Sequence, residues 1–505
     1  MSHFAAMPRS LSRVLSSASE IIVSTTENRR DVHRRERKGE LRRLAPKLYT
    51  PNLTDAPEKI VRRNLWQICS AFFPDGLIAD RTALEHSPAT DGSVFLVSRR
   101  ISDLHVPGVV FRPRPGVPPI GETDSKFIGS LWMSSQARAL LENMRPSRSR
   151  STVRRTLSRE ELEIWLDTFI RKAGQASLNR LRSQFKTLAG PLGLVNEANE
   201  LDRIIGALLG TRDAKLLTDA GKSRARGMGY DPERLELFEK LRVDLATHSF
   251  QDRASRSDET FLPFFEAYFS NFIEGTEFLV KDAHDIVYKG MTPKDRPDDA
   301  HDILDTFRVV ADAGEMRQAP HDPEEFIELL LHRHSVILSG RPTKAPGEFK
   351  TLGNRAGSSI FVEPDLVSGT LHRGFEIMNT LAHPMARALF AMFLVAEVHP
   401  FADGNGRVAR IMMNAELASR DQSRIIIPTV FRTEYMQSLK RLTTDHYSAA
   451  FISVMDFAQN YVSQIDFSDY DQAEQLLDRT NAFKSPADAI GNSAGLILPS
   501  SLQAM

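Results

Sequence analysis

The feature that most limits the fold of this 505-residue chain is its longest apolar run, Ala388 to Ala396, closed by Arg387 and Glu397. A membrane span needs about 20 apolar residues, so the run reads as a core helix, extending from Met385 to Val398. The residues that follow are His399-Pro400-Phe401-Ala402-Asp403-Gly404-Asn405-Gly406-Arg407-Val408-Ala409-Arg410. Pro400 does not continue a helix easily, so the chain turns there and exposes the imidazole. Gly404 and Gly406 allow a backbone path closed to bulkier residues, and their N–H groups can converge on an anion. A second helix from about Arg407 brings its positive dipole end to the same spot, with Arg407 and Arg410 on one side. Asp403 is a hard oxygen ligand beside this cradle, suited to Mg²⁺. His399 titrates near neutrality and can accept a proton. Chemistry alone reads here a nucleotide-phosphate site with a base and a metal ligand.

Blander readings exist for each part. Gly404-x-Gly406-x-x-Ala409 matches a dinucleotide fingerprint, but that motif follows a strand and this one follows a helix. His399 alone could stabilise a helix end, and the two arginines could be a solvated face. Together these readings require eight specified residues to coincide by chance at frequencies of about 5% each.

The segment resembles the Fic (filamentation induced by cAMP) motif, H-x-F-x-[D/E]-G-N-G-R-x-x-R, with every specified position present. The likeness covers roughly residues 255 to 460, including Pro346-Gly347-Glu348-Phe349-Lys350. The resemblance implies transfer of AMP from ATP to a Ser, Thr or Tyr hydroxyl of a target protein. In that scheme His399 deprotonates the hydroxyl and Asp403 holds Mg²⁺. Gly404, Asn405, Gly406, Arg407 and Arg410 bind the ATP phosphates, while Pro400 and Phe401 support the loop. A hairpin flap with Leu352, Gly353, Ser359, Ile360, Phe361 and Val362 would dock the target by strand addition. Ser270-Asn271-Phe272-Ile273-Glu274-Gly275 resembles the family's inhibitory pattern, [S/T]-x-x-x-E-[G/N]. Ser270 and Glu274 lie one helical turn apart, which implies that Glu274 pairs with Arg410 and holds the enzyme off. Gly406 speaks against kinase-like relatives, which carry Lys there. UMP or another nucleotide, and removal of AMP with the help of Glu274, stay open.

The formal net charge is zero, yet residues 1–155 hold 26 Lys/Arg against 15 Asp/Glu. Arg29 to Arg43 alone holds eight basic and three acidic residues. Residues 10–115 resemble a winged-helix domain of the AbiEi antitoxin type, through Gly39-Glu40-Leu41-Arg42-Arg43-Leu44-Ala45-Pro46-Lys47-Leu48-Tyr49-Thr50 and Asp80-Arg81-Thr82-Ala83-Leu84. The resemblance implies salt-dependent DNA binding. A basic protein-interaction domain or a solvated face is the alternative, and a nucleotide-sensing regulator or antitoxin is the alternative function for the whole chain.

The expected fold is mainly α: a helical Fic core with a β-hairpin flap, plus an α+β winged-helix-like N-terminal domain. The expected domains are 1–144, a basic linker 145–157, a helical connecting region 158–250, the Fic domain 255–470 with its inhibitory helix near 262–276, and an irregular tail 471–505. Pro113, Pro115, Pro118 and Pro119 mark a loop or edge. A single cysteine, Cys69, points to a reducing compartment. Arg9, Arg13 and nearby serines give the first twenty residues some presequence character, but a first helix is preferred, so a cytoplasmic chain with no membrane partner is expected. A homodimer is left open. His332-Arg333-His334 lacks a third ligand for a metal.

Overall fold

The computed structural model describes residues 19–147, 152–357, 359–485 and 495–502. The reading of the first residues as a helix or presequence lies outside them. The chain forms two compact units, Met1–Ala225 and Arg226–Met505. It is mostly helical, with the strands concentrated in the first unit.

In the first unit, Ile22–Val23, Leu48–Thr50 and Arg42–Ala45 form a three-stranded antiparallel sheet with Leu48–Thr50 central. Helix Arg29–Arg37 packs against it through Val32, its one buried residue, which meets Leu41 and Tyr49. A second, mixed sheet of six strands follows, and its longest member is Val109–Arg114. Pro113 lies inside that strand but on a locally open edge, in keeping with the loop-or-edge expectation, and Pro115, Pro118 and Pro119 lie in the segment after it. The register explains it: the antiparallel neighbour stops at Leu104↔Phe111, so only the parallel strand Ser93–Val97 accompanies Pro113. A missing N–H costs nothing on that open side.

The expected connecting region 158–250 is divided between the units. Helix Arg159–Leu192 starts with a Ser158/Glu161 capping box and buries Leu162, Leu166 and Ile170 in one core with Leu140 and Leu141. Helix α1 (Pro232–Thr247) instead places Leu237, Phe238, Leu241 and Leu245 in the core of the second unit. The expected linker is not uniformly exposed. Thr156 and Leu157 are buried, and Leu157 N–H donates to Asn143 Oδ1 at 2.8 Å.

The second unit is built around α6 (Pro384–Val398), which is buried on nearly every side. Around it and its successor α7 (Asn405–Ala418) stand α2 (Leu262–Ile273), α3 (Pro297–Ala311), α4 (Pro323–Ile337) and α5 (Val367–Met378). A short hairpin, β1 (Arg355–Ala356) and β2 (Ser359–Ile360), precedes α5 with Arg355 opposite Ile360. The segment from 471 is not wholly irregular. Tyr470–Arg479 is a helix capped by Asp469, and its Ala473 and Leu477, four apart, join the aromatic face of α2. That short stripe was too sparse to stand out as a periodic pattern.

Candidate active site

The apolar residues of α6 anchor its full length in the core, and the helix stops at His399 in the left-handed region, φ +52°. Such a backbone in a non-glycine residue is strained and is commonly kept where a side chain must be aimed. Nδ1 faces the Ala396 carbonyl at 3.4 Å. A carbonyl only accepts, so Nδ1 carries the hydrogen and Nε2 keeps its lone pair. One ring face stacks on Phe361, with centroids 3.8 Å apart and planes 8° from parallel. Burial pulls the imidazole down to about pKa 4, against the opposing Ala396 carbonyl and with Lys350 in support. His399 is therefore neutral at neutral pH, the form a base requires.

The loop after it is held from both sides. Phe401 is fully buried and stacks on His334 at 3.6 Å. Asn405 closes the turn, since Phe401 N–H donates to its Oδ1 at 2.9 Å while its Nδ2 donates to Phe401 O at 3.0 Å. Gly404, φ +73°, opens α7. Asp403 Oδ1 accepts the Gly404 N–H at 2.7 Å, and Oδ2 lies 3.4 Å from Lys344 Nζ. Burial alone would raise its pKa, but Gly404 N–H, Arg407 and Lys344 outweigh that and hold Asp403 below the ordinary carboxylate range.

Arg410 is buried, and three bonds tie it to the end of α2. Its Nε donates to Ser270 Oγ at 3.0 Å, and Nη2 donates to Ser270 O at 2.9 Å and to Glu274 Oε1 at 2.7 Å. A methyl group added at Gly406 would collide with the Glu274 carboxylate. The carboxylate thus lies against the first turn of α7, where unpaired N–H groups and the helix dipole favour an anion.

Arg407 is placed differently from its expected partner role with Arg410. Its side chain is only 4% exposed and pairs with Asp302 of α3 at 2.9 Å, with Asn271 at 3.4 Å. In the hairpin segment Leu352 and Ile360 are well exposed and Gly353 is on the surface. Phe361 and Val362 do not face a docking partner: Phe361 lies on His399 and Val362 is core. An apolar residue beside a short hairpin is as readily its anchor as its docking edge.

The sequence reading gives no role in the site to His334, Lys350, Asn354 or Asp302. His334 was weighed only as half of a metal pair. Among the described residues no cluster of three His, Cys, Asp or Glu is arranged to hold a metal. For Mg²⁺ the fit rests on Asp403, whose half-exposed carboxylate gives Oδ1 to the Gly404 N–H and leaves Oδ2 facing, among the described residues, only Lys344. One carboxylate oxygen plus substrate phosphates is a usual Mg²⁺ donor set.

The model of the Fic/DOC family matches residues 322–417, which include α4, the hairpin, α6 and the whole loop. The chain contains a Fic domain. The chain is similar to protein adenylyltransferase fic-1 of Caenorhabditis elegans, 32% identical over 123 residues, 24% of each chain. Protein adenylyltransferase Fic of Drosophila melanogaster is 25% identical over 217 residues, 42% of this chain and 43% of that one. The chain thus spans less than half the length of these relatives. A solved structure of the C. elegans Fic-1 protein covers 59% of this chain and 84% of its own, with 19% identity and a TM-score of 0.34.

Proposed function

We propose that the Fic domain transfers AMP from ATP to a hydroxyl side chain of a protein and is held off by Glu274. The observation that carries this is one loop that joins a neutral His399, Asp403 and the N-terminus of α7. His399 Nε2 takes the proton of the target hydroxyl. The hydroxyl oxygen attacks the α-phosphorus, and pyrophosphate leaves as the P–O bond breaks. Asp403 would hold Mg²⁺, which when bound neutralises phosphate charge and supports the leaving group. The α7 N–H groups and Arg410 receive the phosphate oxygens. Glu274 now bonds Arg410 and lies against the first turn of α7, so ATP and Glu274 compete for the same place.

The exposed Leu352 and Ile360 sides of the hairpin support docking of an extended target segment. The basic first unit supports contact with DNA as a second function. Among the described residues no helix is long and apolar enough to cross a membrane. The cytoplasmic setting proposed here rests on the lone cysteine, which is buried and has no partner for an internal disulfide.

The test incubates wild type, Glu274→Gly and Glu274→Gly/His399→Ala with Mg²⁺ and ATP labelled at the α- or γ-phosphate. Label from the α position is expected on protein, strongest in Glu274→Gly and lost without His399. Transfer of γ-label would replace AMP transfer by kinase chemistry. Nucleotide-dependent DNA binding with no covalent label in any variant would favour the regulator reading. Loss of AMP from a premodified protein that needs Glu274 would favour the reverse reaction.

A further inference from the structure

Lys350 is 6% exposed, and among the described residues no carboxylate lies within ion-pair distance of it. An ammonium buried this way is costly unless acceptors surround it. Its Nζ donates to Asn354 Oδ1 at 2.6 Å and reaches Val398 O at 3.5 Å, while its backbone N–H donates to Pro400 O at 2.9 Å. Asn354 continues the chain of bonds: Nδ2 donates to Phe401 O at 2.9 Å, and its carbonyl accepts the Phe361 N–H at 3.2 Å. Phe361 is the ring stacked on His399. The bonds that radiate from Lys350 therefore reach the backbone before His399, the backbone after it, and the face of its ring.

We propose that Lys350 is a positioning residue of the transfer reaction: with Asn354 it locks the root of the hairpin to the loop, so that His399 presents Nε2 at one place. The proposal rests on His399 being the base.

A neutral side chain of equal length would not do the same work. The Val398 carbonyl belongs to the C-terminal end of α6, where a cation is favoured. Three charged groups act on the imidazole: Lys350 from the root of the hairpin, Glu274 from the end of α2, and Asp403 from the loop. The two carboxylates favour the imidazolium and Lys350 opposes them. Burial brings Lys350 itself down to about pKa 8, against the pull of Glu363, so it remains largely charged at pH 7.

The experiment compares Lys350→Met, Lys350→Arg and His399→Ala in the Glu274→Gly background of the full chain, reading self-labelling from α-labelled Mg-ATP between pH 3.5 and 9. Lys350→Met is expected to lower kcat at pH 7 by roughly 10–100-fold, with KM for ATP nearly unchanged. Its acid limb moves to higher pH because Asp403, the carboxylate left in this background, acts unopposed, and Lys350→Arg regains most of the rate. A second reading needs no turnover: the ring C–H resonance of His399 in histidine-labelled protein, assigned through His399→Ala, should titrate at higher pH in Lys350→Met. A rate, pH profile and titration equal to the parent's would overturn the role of Lys350. Label retained in His399→Ala would instead overturn the base assignment, and with it the proposal.

Discussion

His334 accepts the Gly347 N–H at Nδ1, 2.9 Å, so its ring hydrogen sits on Nε2, which donates to Asp403 O at 3.0 Å. Protonation would set Nδ1–H against Gly347 N–H and cost that bond. Burial, helped by Arg407 and opposed by the Asp403 carbonyl, lowers the ring to about pKa 4 from 6.5. A depressed histidine pKa means that below about pH 6.5 the unfolded chain takes up a proton the folded one declines. The stabilisation is therefore full above that pH and drains away as pH falls toward 4. Its size at neutrality is of order 3 kcal/mol. In His334→Gln the loss of thermal stability between pH 7 and pH 5 should be smaller than in wild type. Identical pH dependence would show that His334 takes no part. At this scale the sequence was half legible. His399, Asp403 and Arg410 could be read because chemically loaded residues crowd one loop. His334 and Lys350 could not, because their chemistry appears only when separate elements bring them beneath that loop.

Among the elements, the start of α7 carries the greatest demand. Gly404 caps the helix in the left-handed region, and a Cβ there would also press on Leu338 at 3.3 Å. Gly404→Ala should cost about 1–2 kcal/mol for the backbone alone. The displaced turn should also lower labelling in the Glu274→Gly background. A parental melting point together with parental labelling would show that the turn tolerates a side chain. Helix α2 is built more forgivingly. Phe264, Phe265, Tyr268 and Phe269 hold α2 in an aromatic core, while Glu274 lies at its very end. Glu274 can therefore be exchanged without disturbing what anchors the helix, as the labelling test requires. Helices with strong apolar runs, such as α6, were plain in the sequence. The hairpin is legible through the strand Ser359–Val362, but Phe361 and Val362 are placed with the docking residues because alternation in so short a segment does not say which face is covered.

Over the whole molecule, the balance of charge follows the division into units more closely than the cut first read at residue 155. Residues 1–225 hold 37 Lys/Arg and 24 Asp/Glu, and residues 226–505 hold 28 and 41. The excess is thus +13 in one unit and −13 in the other, so helix Arg159–Leu192 and its neighbours add to the basic side instead of diluting it. Much of that positive charge is already used in ion pairs, such as Arg138 with Asp124 and Glu142, and these lend nothing to a partner. Helix Arg29–Arg37 is different: Arg29, Arg30 and Arg37 are exposed, and among the described residues no acid lies within ion-pair distance of them. Phosphates would meet these side chains with counterion release, so affinity should fall steeply as salt rises. The full chain should bind a duplex oligonucleotide with a negative slope of log K against log salt. Arg29→Ser/Arg30→Ser/Arg37→Ser should make that slope shallower by about 2–3, since each phosphate contact contributes roughly 0.9. AMP labelling in the Glu274→Gly background should not change, because these residues belong to the other unit from the loop. Binding that is absent, or that does not respond to salt, would remove DNA as a partner and leave the basic helix to an acidic protein surface.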